Sequence, residues 1–325
     1  MGTVPGGFDL GRAMNAVELE NVTKTFGAHV AVDGLDLAVP EGSVYGFIGP
    51  NGSGKTTTLR MILRIFFPDR GVVRVLGVDR GAAADDRIGY LPEERGLYKK
   101  MRVRDVLRFQ AALKGRRDSR PAIDDWLARM DLSDWADKRV ETLSKGMSQK
   151  VQFIAAVIAE PRLLILDEPF SGLDPVNMET LKDAVLDLKR RGTTVLFSTH
   201  DMDVAERMCD MIFMIFRGRK VLDGSLQSIQ EQYGEDTIRV RTSSGNGALE
   251  NLPGVVRVND YGRDQELRIA AGTDSQAVLT ELARRTRIER FELTRPSLHD
   301  IFVRIARPEP TTLAGSAGEG KANHA

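Results

Sequence analysis

Gly49-Pro50-Asn51-Gly52-Ser53-Gly54-Lys55-Thr56 is the stretch whose reading decides the fold. It has the spacing G-x-x-x-x-G-K-[ST], the phosphate-binding P-loop. Apolar Val44-Tyr45-Gly46-Phe47-Ile48 precedes it, and helix-compatible Thr57 to Leu63 follows. A strand, a glycine-rich loop and a helix are the context that the motif requires. Glycines let backbone N–H groups turn inward around a phosphate, at a helix N-terminus that already favours anions. Lys55 is placed to reach the terminal phosphates of a nucleoside triphosphate, and the Thr56 hydroxyl to hold Mg²⁺. A glycine-rich turn without a ligand is the bland alternative, and the agreement of motif with context argues against it.

Working outward, the 325 residues are enough for two ordinary domains, and 42% are hydrophobic, as in globular proteins. Lys+Arg and Asp+Glu both number 46, so no overall basic field argues for nucleic acid. The single cysteine, Cys209, excludes an internal disulfide framework and fits a reducing compartment. It lies in an apolar stretch and reads as a buried, inert thiol. No run of 18 apolar residues is present, so no spanning helix is expected. Residues 1–15 are glycine-rich, with neither a basic start nor an apolar core, and read as a flexible extension rather than a signal peptide. Met14 is a second candidate start.

Val17–Phe26 and Val30–Val39 alternate apolar and polar residues and are expected to pair as antiparallel strands. The P-loop helix is expected to end near Phe67-Pro68-Asp69. Gly71–Gly77 and Ile88–Leu91 read as strands, the second stopped by Pro92. From Val103 to Glu160 the apolar residues recur at helical spacing, which predicts a helical subdomain over about 95–160 inserted into the sheet. Trp126 and Trp135 read as its core rather than as a ligand platform. Arg162–Leu166 returns to a buried strand, Pro175–Arg190 to a helix, Thr193–Ser198 to a strand and Met202–Cys209 to a helix. Met211–Arg217 with Lys220–Leu222 makes a hairpin around Gly218. Strands alternating with helices predict a parallel α/β core ending near Gly224.

Beyond it, strands at Thr237–Arg241, Val255–Asn259, Leu267–Ala270 and Ile288–Leu293 and helices at Ala277–Arg285 and Leu298–Ile305 suggest a second domain over 225–306. With a short helix near Ala248–Leu252, these form a β-α-β-β-α-β unit, the ferredoxin-like order. Residues 307–325, rich in Pro, Gly, Ala and Thr, read as a disordered tail.

Leu163-Leu164-Ile165-Leu166-Asp167-Glu168 puts two carboxylates at the end of a buried strand, where doubly wound folds keep their ligands. Asp167 is expected to bind Mg²⁺ through its water shell, and Glu168 to act as general base on the attacking water. A solvated pair of loop carboxylates is the alternative, disfavoured after a P-loop. His200, ending Ser198-Thr199-His200, is placed to hydrogen-bond the γ-phosphate, although a lone histidine is more often structural.

Together these residues resemble the nucleotide-binding subunits of ABC transporters, over about Val17 to Gly224 and with the motifs in family order. Leu143-Ser144-Lys145-Gly146-Met147 is similar to the LSGGQ signature, Ser171-Gly172-Leu173-Asp174 to the D-loop, and His200 to the switch histidine. Phe26 stands where an aromatic ring stacks on adenine. The nucleotide set is then Phe26, Gly49, Pro50, Asn51, Gly52, Ser53, Gly54, Lys55, Thr56 and Thr57. Lys145 and Met147 depart from the signature, and Glu93 replaces the glutamine that normally follows Leu91-Pro92. A carboxylate there can still ligate Mg²⁺.

The resemblance implies an ABC ATPase core of the P-loop NTPase class, with an antiparallel β subdomain, an inserted helical subdomain and a small C-terminal α/β domain. It implies ATP as fuel, Mg²⁺ as cofactor, and a second copy or homologous ATPase subunit whose signature, Ser144 to Met147, closes over the P-loop in trans. It implies a separate integral membrane permease and a place on the cytoplasmic face of the membrane. Pro296-Ser297-Leu298-His299-Asp300-Ile301-Phe302-Val303 and the stretch Gly89 to Tyr98 resemble bacterial exporter subunits of the sodium-extrusion and drug-resistance type. The alternative is a soluble ABC ATPase acting in translation or DNA repair. Such members carry two nucleotide domains or long coiled coils, and this chain shows neither. No nucleic-acid partner is expected.

Overall fold

The computed structural model describes residues 14–79, 86–94, 96–233, 236–243, 245–249, 251–260, 262–270 and 272–306. Most of the expected N-terminal extension and the whole expected tail lie outside the described residues. In chain order the elements are β1 (Asn15–Phe26), β2 (His29–Pro40), β3 (Val44–Ile48), α1 (Lys55–Ile62), β4 (Arg70–Val75) and β5 (Ile88–Leu91). Then follow α2 (Val103–Leu113), α3 (Arg120–Arg129), α4 (Lys145–Val157), β6 (Leu163–Asp167), α5 (Pro175–Arg190), β7 (Thr194–Thr199), α6 (Met202–Met208), β8 (Met211–Phe216), β9 (Arg219–Gly224) and α7 (Leu226–Tyr233). The remainder comprises β10 (Thr237–Thr242), β11 (Val255–Asp260), β12 (Gln265–Ile269), α8 (Ser275–Arg285), β13 (Ile288–Thr294) and α9 (Leu298–Ala306).

The site is organised by a six-stranded sheet in the order β5-β6-β7-β3-β8-β9, parallel except for β9. Every residue of β3, β6 and β7 is buried, which explains their unbroken apolar runs. Alternate side chains serve two different cores, because successive residues of a strand face opposite sides. Leu163 and Ile165 pack with Tyr45, Phe47, Leu59 and Met61. Leu164 and Leu166 pack with Phe153, Val157, Val195 and Phe197. The first core joins the sheet to α1 and to an antiparallel sheet ordered β2-β1-β4. The second joins it to α2–α5. Trp126, 6% exposed, meets Phe153 edge to face at 5.9 Å in that second core, so it is a packing residue.

Two expectations need correction. The P-loop helix ends at Ile62, not near Phe67. Arg64 turns left-handed at φ 58°, and the N–H groups of Ile65 and Phe66 both fold back onto Arg60 O. The short helix near Ala248–Leu252 is a 3₁₀ turn at Gly245–Leu249. By compactness the chain divides into two units, Met1–Gly234 and Glu235–Ala325. The unanticipated α7 buries Ile229 completely and belongs to the first of them.

The second unit is a four-stranded antiparallel sheet in the order β11-β12-β10-β13. With the 3₁₀ turn and α8 as its two crossings, this is the β-α-β-β-α-β arrangement. Ile238, Val240, Leu267, Val278 and Leu282 form its core. Arg239 and Glu266 pair at 2.9 Å on the other face of the sheet, and Arg304 of α9 pairs with Asp236 at 2.8 Å.

Candidate nucleotide-binding site

The loop between β3 and α1 is built from backbone that side chains would obstruct. Gly54, the residue before the helix, has φ 108°, and a Cβ there would lie 2.5 Å from Ala31 O. A Cβ on Gly49 would collide with Ile215 O and approach Ser53 Oγ to 2.8 Å. The chain therefore needs glycine at both positions. Lys55 opens α1 and curls back, donating to Gly49 O at 2.7 Å and Pro50 O at 3.2 Å. Burial lowers the pKa of its ammonium, against the opposing pull of Glu168 and Asp167.

Facing the loop are the ends of β6 and β7, paired so that Asp167 lies beside Ser198. Asp167 Oδ1 accepts a hydrogen bond from Ser198 Oγ and lies 3.5 Å from Thr56 Oγ1. Glu168 follows with a left-handed backbone, φ 50°. Its N–H donates to Ser198 O and Oγ, both at 3.2 Å. Its Oε2 lies 3.0 Å from His200 Nδ1, and its Oε1 lies 3.7 Å from Lys55 Nζ.

Three buried oxygens in this neighbourhood have no hydrogen-bond partner: Ser53 Oγ, Asp167 Oδ2 and Glu168 Oε1. An unsatisfied buried polar group costs about 1–3 kcal/mol, so their convergence points to a ligand. Thr56 and Asp167 are hard oxygen donors suited to Mg²⁺. Among the described residues no group of three or more His, Cys, Asp or Glu side chains converges on a metal position.

A cleft of about 390 Å³ opens over the loop, with Asn51, Lys55, Thr56, Thr57 and Glu168 on its walls and Phe26 and Glu93 at its rim. Phe26 is 44% exposed and meets Phe66 edge to face at 5.5 Å. Gly52 and Gly54 also line the cleft, and a Cβ on Gly52 would meet nothing. The cleft, with the contacts of Gly49, Pro50, Ser53, Asp167 and His200, thus brings both motif groups together.

Ser144, Lys145, Gly146 and Met147 do not line that cleft. Ser144 caps α4 by accepting from Met147 N at 3.2 Å, as a serine at this position should. Gly146 faces Asn177 and Leu173, and Lys145 Nζ lies against Gly172. Asp174 caps α5 by accepting from Asn177 N at 3.0 Å, and Ser171 N donates to Glu168 O at 3.2 Å. The signature-like and D-loop-like segments of one chain therefore touch each other.

Sequence reading missed two residues. Ser198 touches both carboxylate residues, and its signal was its position two before His200. Gln149, 4% exposed, donates through Nε2 to Pro169 O at 3.1 Å, and no local pattern marks it. Cys209, expected to be buried, is partly buried against the second core, and desolvation raises its thiol pKa.

The fold is that of a P-loop NTPase. Residues 32–171 match the ABC transporter family, and residues 224–306 match the C-terminal domain of DrrA1-3-like ATP-binding proteins. YhaQ of Bacillus subtilis, an uncharacterized ABC transporter ATP-binding protein, is 44% identical over 88% of this chain and 96% of its own length. The Nod factor export ATP-binding protein I of Sinorhizobium fredii is 34% identical over 90% of this chain and 87% of its own length. A solved ATP-binding subunit of an ABC transporter superposes with a TM-score of 0.63 at 30% identity, over 67% of this chain and 93% of that one. The chain belongs to the ATP-binding proteins of ABC transporters, and so to the ATP-hydrolysing subunits of that class.

Proposed function

We propose that this chain is the ATPase of an exporter, powering a separate integral membrane permease from the cytoplasmic face through ATP-driven pairing with a second copy or a homologous subunit. The observation that carries the chemistry is Glu168, fixed through Oε2 to His200 while Oε1, without a hydrogen-bond partner, lies 3.7 Å from Lys55 Nζ.

In this reading the loop from Gly49 to Thr57 cradles the phosphates, and Lys55 neutralises the terminal ones. Phe26 supplies a face for the base. Thr56 and Asp167 hold Mg²⁺, with Glu93 a further candidate ligand. When bound, the ion neutralises charge on the β- and γ-phosphates. Glu168 Oε1 takes a proton from the attacking water as its oxygen bonds to the γ-phosphorus and the bond to the ADP oxygen breaks. His200 orients that carboxylate and faces the departing phosphate. Ser144, Lys145, Gly146 and Met147, with Ser171, Gly172, Leu173 and Asp174, form the surface offered to the partner's nucleotide. Helix α4 presents its N-terminal dipole there.

Export is supported by the likeness of the second unit to DrrA-type C-terminal domains and by the Nod factor export relative. No helix among the described residues is long and apolar enough to cross a membrane, so transport requires another chain. The test is purification from native membranes. ATP hydrolysis together with a co-purifying multi-span protein is expected. Association with ribosomes or DNA, and with no membrane protein, would instead favour a role in translation or repair.

A further inference from the structure

Helix α4 begins at the capped Ser144 and passes beneath the segment that carries Glu168. Gln149 Nε2 donates to Pro169 O at 3.1 Å, and one turn on Gln152 Nε2 donates to Glu94 O at 3.2 Å. A single helix therefore holds the loops leaving β6 and β5, the loops that bear Glu168 and Glu93. Its first turn leans on the same region through Lys145 on Gly172 and Gly146 on Asn177 and Leu173.

The left-handed backbone of Glu168 is a conformation that persists in a non-glycine residue only where its surroundings fix it. Ser198 holds the N–H of Glu168, and Ser171 holds its carbonyl. Gln149 holds the next carbonyl in the chain. Ser198 comes from β7 and Ser171 from the same loop, so Gln149 alone among these links the loop to α4. Packing of α4 does not require an amide at this position, because Val151, Phe153, Ile154 and Val157 supply its apolar contacts.

We propose that Gln149 is a positioning residue for Glu168, tying the placement of that carboxylate to the placement of the helix that starts at Ser144. The proposal rests on the reading of Glu168 as general base. Displacing a reacting group by about 1 Å can cost on the order of 100-fold in rate, so loss of this tether should act on turnover rather than on nucleotide binding.

The test uses the full-length protein with Q149M, which keeps the volume and removes the donor. Its kcat should fall about tenfold or more while the KM for ATP stays within about twofold. Q149E keeps the shape but can donate to Pro169 O only when protonated. Its kcat relative to the unsubstituted protein should therefore recover as pH falls, a readout that remains if Q149M folds poorly. E168Q is assayed in parallel. If E168Q is inactive and Q149M turns over normally, or the Q149E ratio is flat with pH, the Gln149 proposal fails alone. If E168Q turns over normally, the general-base reading fails and the proposal fails with it.

Discussion

Glu168 and His200, each the first residue past the end of the neighbouring parallel strands β6 and β7, meet with Oε2 3.0 Å from Nδ1. The contact uses one carboxylate oxygen and leaves Oε1 buried, ion-paired with Lys55 at 3.7 Å and without a hydrogen-bond partner. One oxygen is orientated and the other is available to a proton. Glu168→Gln keeps the shape and removes the basicity. ATP hydrolysis should fall ~100- to 10,000-fold, with ATP affinity retained and an ATP-dependent dimer accumulating. Rate assays and size-exclusion chromatography with and without ATP check this, and normal turnover would remove Glu168 from its role.

Lys55 carries the clearest pH signature. Burial holds its pKa below the ordinary 10.5, whereas a bound triphosphate favours the charged form. Binding is therefore coupled to proton uptake wherever free Lys55 is partly neutral. ATP affinity should weaken as pH rises through the depressed Lys55 value. Lys55→Met should weaken ATP binding by ~1.5–3 kcal/mol, the range for hydrogen bonds to charged groups, and should abolish that pH dependence. Titration calorimetry at several pH values measures both.

Asp187 on α5 gathers Arg129, Arg191 and Arg190 at 2.6, 2.8 and 3.5 Å. The Arg129 hydrogen bond holds its carboxyl below the ordinary 3.8, with the charge of Arg191 adding to the effect and burial opposing it. A depressed carboxylate stabilises the fold above its unfolded value, and that contribution is lost as pH falls through its folded value. Asp187→Asn should cost about 1 kcal/mol at neutral pH. Urea melts should show the difference shrinking below pH ~4, where the wild-type carboxyl also becomes neutral.

Gly46 and Cys209 share one space. A Cβ on Gly46 would collide with Cys209 Sγ, while the next neighbours, Cys209 Cβ and Ala205 Cβ, would lie at ordinary distances of 3.5 and 3.8 Å. Gly46→Ala should destabilise by ~1–3 kcal/mol through overpacking. Adding Cys209→Ala should return most of that loss. A double mutant no more stable than the single one would show that the collision is relieved another way.

The motifs of the site were legible because each is local. A P-loop, a carboxylate pair at a strand end and a cap before α4 are runs of a few residues. Ser198 and Gln149 were not legible, because their roles depend on contacts 31 and 20 positions along the chain. Strand order likewise follows from pairing, not from neighbours in sequence. The early end of α1 rests on a left-handed Arg64 that no glycine announces. Helix α7 was missed because its eight residues bury one apolar side chain, Ile229, which leaves almost no periodic signal.

Strand β6 is hydrogen-bonded on both sides, by β5 and β7, and its four apolar side chains, Leu163 to Leu166, are each sealed into one core or the other. Backbone in such a place opens only when the whole unit does. Its two terminal carboxylates are therefore mounted on a mechanical ground, and the helices around them supply the compliance. A stroke delivered to another subunit needs both, since force can be exerted only against something that stays still.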